Sequence, residues 1–290
     1  MTIAISIKVN DGLVLAADSA STVFEKAPSG ETGVVIVYNN ADKVFNLHRG
    51  LPVGAVTFGV GSIGNSSIST LAKDLRRRLS GDDPAHQDWT IDQSNLQILD
   101  VAEKVKTCFF HEMYAPAFEN WPEKPSLGFF VSGYSTGASM AEEYHVSHQG
   151  GEFTVQPMRD TEEAGITWGG DGSEAVARLT LGFSPKMAAV LQTDFSVSNQ
   201  DLQIAMETLR SRLQARIIVP SMPIQDAIDL ADFLVDTAIR FSRFTPGPAT
   251  VGGPIEIAAI TKHEGFKWVK RKHYFDQRLN PGGLRYGSTL

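Results

Sequence analysis

The chain opens on Ile3, Ile5 and Ile7 alternating with Ala4, Ser6 and Lys8, the period-two pattern of a half-buried strand. Asn10-Asp11-Gly12 is a turn signal, and Leu13-Val14-Leu15-Ala16-Ala17 is a second apolar run. Residues 2–18 therefore predict a β-hairpin. A turn centred on Asn10 sets Thr2 opposite Asp18, and one centred half a residue later sets it opposite Ser19. Short apolar runs predict further strands at 52–58, 127–131, 143–146, 152–155 and 250–260, with 143–146 and 152–155 forming a hairpin about Gly150-Gly151. Helical spacing of apolar positions predicts helices over 66–79, 94–114, 174–181, 199–217 and 224–241. The mixture reads as an α/β protein.

Composition narrows the function classes. A chain of 290 residues is ample for a sizeable core in one large domain or two. A net charge of −7 argues against non-specific nucleic-acid binding. The N-terminus lacks a cationic, apolar signal pattern, and no apolar run approaches the ~18 residues of a membrane span, so the expectation is a cytoplasmic protein with no membrane partner. The single cysteine, Cys108, excludes an internal disulfide and a Cys-based zinc cluster. Its apolar setting reads as core. His145 and His148 sit three apart in a predicted strand, hence on opposite faces, and make a poor metal pair. No cofactor is expected.

Two stretches carry candidate chemistry. Gly59-Val60-Gly61-Ser62-Ile63-Gly64 spells GxGxxG between a predicted strand and helix, which raises a dinucleotide site. The acidic residues that follow, Asp82 and Asp83, fall in a loop just past the helix rather than at the end of a second strand, which argues against it. The second stretch is Met1-Thr2. Initiator Met is removed when the next side chain is small, leaving a threonine with a hydroxyl nucleophile and a free α-amine. Such an amine has an ordinary pKa of about 7.7–8.0 and can act as a base near neutral pH. Taken alone, these two residues are also an ordinary start to a strand.

The neighbours decide between those readings. Thr2, a strand, a Gly turn and then Ala16-Ala17-Asp18-Ser19-Ala20-Ser21-Thr22 resemble the start of a mature proteasome β subunit. Asp42-Lys43-Val44-Phe45 looks like that family's Lys-Val pair, arriving after an extra stretch that begins Pro28-Ser29-Gly30. The resemblance looks closer to divergent bacterial proteasome-like proteins than to a standard β subunit. It implies an N-terminal-nucleophile (Ntn) hydrolase, a four-layer αββα sandwich of two antiparallel sheets over residues 2–262, with 263–290 as an extension. It implies a Thr2–Asp18–Lys43 constellation and an oxyanion-hole N–H from Gly59, with Gly61 as the other choice. Gly169-Gly170-Asp171-Gly172-Ser173 resembles the family's Gly-Ser-Gly-Ser helix start, in which a serine supports the N-terminal threonine; Gly172 and Ser173 fit, Asp171 stands where that serine is expected, and Asp171 and Ser173 join the implied catalytic set. Ser21, Thr22, Phe45 and Thr57 are the implied substrate-contacting residues.

The implied substrate is a peptide or unfolded protein, handled by a ring-forming homo-oligomer, with any ATP-dependent unfoldase left unnamed. Thr250-Val251-Gly252-Gly253 resembles the family's Ser-Gly-Gly strand, but Pro246-Gly247-Pro248 and Val251 replace an Asp and a Ser. That departure supports a second reading, a catalytically silent scaffold of the same fold. A third, an amidase acting on a small amide, shares the nucleophile. Lys267-Trp268-Val269-Lys270-Arg271-Lys272-His273-Tyr274 interleaves basic and aromatic residues, as a nucleic-acid patch does. In an acidic chain, a strand plus an extension docked on a neighbouring subunit fits better.

Overall fold

The computed structural model describes residues 2–26, 32–121, 123–149, 151–170 and 172–273. Strands β1 (Ala4–Val9) and β2 (Gly12–Ala17) form the predicted hairpin, with Ala4 opposite Ala17. Continued outward, that register sets Ile3 against Asp18 and Thr2 against Ser19, the second of the two alternatives. The strands are not half-buried. Every residue of both is buried. Ile3, Ile5, Ile7 and Val9 join one apolar cluster, while Ala4 on the opposite face joins another.

The polar members of β1 are covered by polar partners. Ser6 donates to Glu143 Oε1 at 2.5 Å, and Arg159 Nε donates to Glu143 Oε2 at 2.6 Å. Arg159 also donates to Thr167 Oγ1, and Lys8 Nζ donates to the carbonyls of Asp160 and Thr161. Buried polar groups are tolerated only when satisfied in this way. An alternation that looks like core-and-solvent is core and interior polar network.

The chain continues through β3 (Ser21–Lys26) and β4 (Thr32–Tyr38), an antiparallel ribbon whose second strand lies in the extra stretch. Then come β5 (Val44–Asn46), β6 (Val53–Gly59) and the small pair β7 (Ser62–Ile63) and β8 (Ser66–Ser67). The Gly-rich segment is spent on this small hairpin, with Gly64 at φ +55° in its turn. Helix α1 (Ile68–Leu79) starts only afterwards and is capped by Ser67 Oγ accepting the Thr70 N–H. The glycines therefore do not open onto a helix start, and the dinucleotide reading falls.

Helix α2 (Ile98–Val105) begins later than the spacing suggests. The Asp92 carboxylate captures the N–H groups of Ser94 and Asn95 in a turn, which competes with helix formation. Past Val105 the helix widens into a π-helical segment, Lys106–Tyr114, followed by α3 (Ala115–Ala117). The second half contains β9 (Leu127–Gly133), β10 (Glu142–Gln149), β11 (Glu152–Pro157) and β12 (Gly165–Gly169). Helices α4 (Ser173–Leu181), α5 (Met187–Thr193), α6 (Asn199–Leu213) and α7 (Ile224–Phe244) precede β13 (Glu256–Thr261) and β14 (Gly265–Lys270).

Two five-stranded antiparallel sheets result, ordered β12-β1-β2-β13-β14 and β11-β10-β9-β6-β5. β14 carries the first sheet past residue 262 to Lys270. Three apolar clusters hold the molecule together. One joins α1, α2 and the π-helical segment to β6 and β9 through Leu75, Val101, Phe109, Val53 and Phe129. A second joins α4 and α7 to β1 and β2 through Val176, Leu234, Ile5 and Val14. The third contains residues of both sheets, among them Ala4, Leu15, Val56 and Phe130. The chain is a mixed α/β protein with antiparallel sheets. Among the described residues, no helix is long and apolar enough to cross a membrane.

Candidate active site

The end of β2 turns a carboxylate back toward the start of β1. Asp18 is fully buried, and its Oδ1 accepts the Ile3 N–H at 3.1 Å while the Ile3 carbonyl accepts the Asp18 N–H. Lys43, just before β5, donates to the same Oδ1 at 2.6 Å. Asp18 Oδ2 accepts the N–H groups of Ala20 at 3.1 Å and Gly252 at 2.9 Å. The carboxylate thus has four donors drawn from four parts of the chain. Burial pushes the Lys43 ammonium below its ordinary pKa, and the Asp18 charge and hydrogen bond pull it back up.

Thr2 is buried beside this pair, and its carbonyl accepts the Gly172 N–H at 3.0 Å. Gly170 has φ +94°, and a Cβ there would stand 2.2 Å from the Thr2 carbonyl oxygen. Only glycine allows the chain to pass so close to the residue it supports. Phe58 needs space of the same kind: a Cβ on Gly128 or Gly169 would collide with its ring.

Thr2, Ser21, Lys43, Thr57, Gly59 and Gly61 line one small pocket, so six residues named from the sequence converge. The Thr57 hydroxyl donates to the Gly128 carbonyl at 3.0 Å. Gly59 has φ +100°, and a Cβ on it would lie 2.1 Å from the Ser126 carbonyl oxygen. Ser21 Oγ covers Gly61 so closely that a Cβ on Gly61 would stand 2.3 Å away.

Three expected members lie elsewhere. Phe45 does not line this pocket; it is packed into the apolar cluster beneath α1. Its neighbour Val44 takes the inter-sheet face, and strand alternation sends Phe45 the other way. Thr22 pairs with Val37 in the β3–β4 ribbon and does not line this pocket. Ser173, the first residue of α4, lines a separate, larger pocket with Trp168, Gly170, Leu181 and Arg210. Met1 and Asp171 fall outside the described residues.

Several contributors escape sequence reasoning. Val251 is buried among apolar residues, and a Cβ on Gly172 would meet its Cγ2 at 2.8 Å. The contribution of that loop is instead the Gly252 N–H. Glu256 is 1% exposed and accepts the Lys43 backbone N–H at 3.1 Å. A lone acid inside Ile255-Glu256-Ile257-Ala258-Ala259-Ile260 was the available signal, because a charge in an apolar strand implies a buried partner. His145 and His148 do take opposite faces, the first against Phe58 and Phe130, the second against Tyr114 and Phe153.

No protein-family model matches the chain, and no curated protein matches it. Its fold is similar to that of the solved structure of Anbu, a Gly-1 mutant from Hyphomicrobium sp. strain MC1. The TM-score is 0.52 and the sequence identity 14%, over 94% of this chain and 86% of that one. At that identity the likeness speaks to fold alone: the chain has a proteasome-like fold.

Proposed function

We propose that the chain is an Ntn amide hydrolase of the threonine-peptidase type, with Thr2 as its nucleophile once Met1 is removed. The observation that carries this reading is the meeting of Thr2, the Asp18–Lys43 ion pair and Gly59 at one pocket. The Thr2 hydroxyl attacks a peptide carbonyl, and the α-amine of Thr2 takes its proton. The Lys43 charge favours the deprotonated forms of both groups. The Gly59 N–H receives the oxyanion, where a preorganised donor contributes most. The leaving amine departs with the proton, and water then hydrolyses the acyl-enzyme.

Substrate lies extended beside Ser21, adding as a strand. The fold in this reading is the four-layer αββα sandwich, supported by the three apolar clusters. The working form is a homo-oligomer, and the substrate class is peptide or unfolded protein.

The buried Val251 favours the second reading, a silent scaffold, because it places a methyl-bearing side chain where a hydroxyl would support the threonine. One experiment separates the two. Intact mass is measured before and after exposure to a β-lactone or epoxyketone that targets N-terminal threonine. Loss of Met1 with a single adduct, abolished by Thr2→Ala, is the expected result. Retained Met1 and no adduct overturn the hydrolase and leave the scaffold.

A further inference from the structure

Lys272 follows β14 by two residues, and its side chain reaches back behind the site. Its Nζ donates to Ser19 Oγ at 2.8 Å and to the Ala41 carbonyl at 2.9 Å. It also lies 3.0 Å from Glu256 Oε1 and 3.3 Å from Asp42 Oδ1. Each contact adjoins the Asp18–Lys43 pair. Ser19 follows Asp18, and its Oγ donates to the Pro254 carbonyl at 2.6 Å while its N–H donates to the Gly252 carbonyl at 2.9 Å. The Ala41 N–H donates to the Ser19 carbonyl at 2.9 Å, which ties the segment before Lys43 to the segment after Asp18. Glu256, at its other oxygen, holds the Lys43 backbone N–H.

We propose that Lys272 is a positioning residue for the Thr2 centre, neutralising Glu256 and clamping the Ser19 hydroxyl, the Ala41 carbonyl and the Asp42 carboxylate so that the Asp18–Lys43 pair is held only when the residues just after β14 are seated. The proposal rests on the hydrolase reading for its catalytic consequence, though not for the clamp itself. Glu256 is buried, and among the described residues Lys272 is the only cation within ion-pair distance of it. A buried carboxylate stripped of its partner is strongly unfavourable. The nearest way to relieve it is to move Glu256, and the Lys43 N–H moves with it. The charged groups facing one another here are Asp18, Asp42 and Glu256 against Lys43 and Lys272. Removing the Lys272 charge leaves this set more negative and makes protons at Lys43 and at the Thr2 amine harder to lose.

The test compares the full-length wild type with Lys272→Met and Lys272→Arg by two readouts. The first is the pH dependence of β-lactone adduct formation, followed by intact mass. Lys272→Met should move the half-maximal pH upward by about one unit, which is about tenfold in rate at neutral pH. The second readout is amide hydrogen exchange at Lys43 and Ala41, expected at least ~10-fold faster in Lys272→Met. Lys272→Arg keeps the charge and should restore both. An unchanged pH midpoint with unchanged exchange in Lys272→Met overturns the proposal, as does a Lys272→Arg variant perturbed to the same degree. A wild type that forms no adduct refutes the hydrolase reading, and exchange at Lys43 then judges the clamp alone. Should Lys272→Met not fold, the Lys272→Met/Glu256→Gln double variant removes the orphaned charge and should fold; failure of that variant too overturns the proposal.

Discussion

Asp18→Asn and Lys43→Met both break the same ion pair, and the structure makes them unequal. In Asp18→Asn one side-chain oxygen becomes an NH₂ group. Whichever way the amide turns, that NH₂ faces two donors, either the Ala20 and Gly252 N–H groups or the Ile3 N–H with Lys43 Nζ. Each orphaned buried donor costs about 1–3 kcal/mol. With the loss of the counter-charge added, the total should reach or exceed the ~3–5 kcal/mol seen when a buried pair loses one partner. Lys43→Met removes a single donor, and the carboxylate keeps its three backbone N–H groups. Its cost should fall below that range. At about 2–3 °C per kcal/mol for a chain of this size, Asp18→Asn should lower Tm by roughly 6–15 °C and Lys43→Met by clearly less.

The assay is urea unfolding at pH 7, with m-values compared before the energies are. Asp18→Asn within about 1 kcal/mol of wild type, or Lys43→Met costing as much, would refute the donor count. A pH series sharpens the test. The folded pKa of Lys43 is already below its unfolded value, so the unfolded chain binds more protons between the two, and stability should rise with pH across that window. Asp18→Asn removes the group that pulls the Lys43 pKa upward, so the window widens downward and the rise in Asp18→Asn should begin at lower pH.

Two more outcomes can be checked directly. Gly170→Ala puts a Cβ against the Thr2 carbonyl at a φ of +94°. It should cost at least the ~1–2 kcal/mol of the left-handed conformation and slow adduct formation at Thr2, whereas Gly137→Ala, also at positive φ but in open space, should pay only the backbone cost. Burial pushes the Cys108 thiol up to about 12 from an ordinary 9.0, so N-ethylmaleimide should label it only as fast as the protein opens. The folded state holds that proton to higher pH than the unfolded state does, so this residue makes stability fall as pH rises from about 9 toward 12, a loss that Cys108→Ala removes.

What the sequence made legible was local. The β1–β2 hairpin followed from alternation and a turn signal, and with it came the proximity of the second residue to Asp18. Lys43 was named by family likeness, since nothing in its own neighbourhood announces that it is buried. Phe45 falls outside the Thr2 pocket, and a three-residue strand offers too little alternation for the sequence to fix which face it takes. The β3–β4 ribbon left a signal in Gly33-Val34-Val35-Ile36-Val37-Tyr38, a strand-like run inside what read as an insert. Glu256, the Gly252 N–H and Lys272 belong to the site through contacts hundreds of residues long in sequence. Periodicity is silent on such contacts.

The origin of the four groups that hold the Asp18 carboxylate has a temporal consequence. They come from residues 3, 20, 43 and 252, and β1 is flanked by β2 on one side and by β12 on the other. During synthesis the first strand must wait for residues 165–169 to complete one edge, and β2 must wait for β13. Pairings of such separation slow folding, because loop closure is paid before contacts reward it. The Asp18 centre near the N-terminus is therefore among the last parts of the molecule to assemble, and a nascent or truncated chain carries Thr2 and Asp18 without the Gly172 and Gly252 N–H groups that hold them in the finished fold.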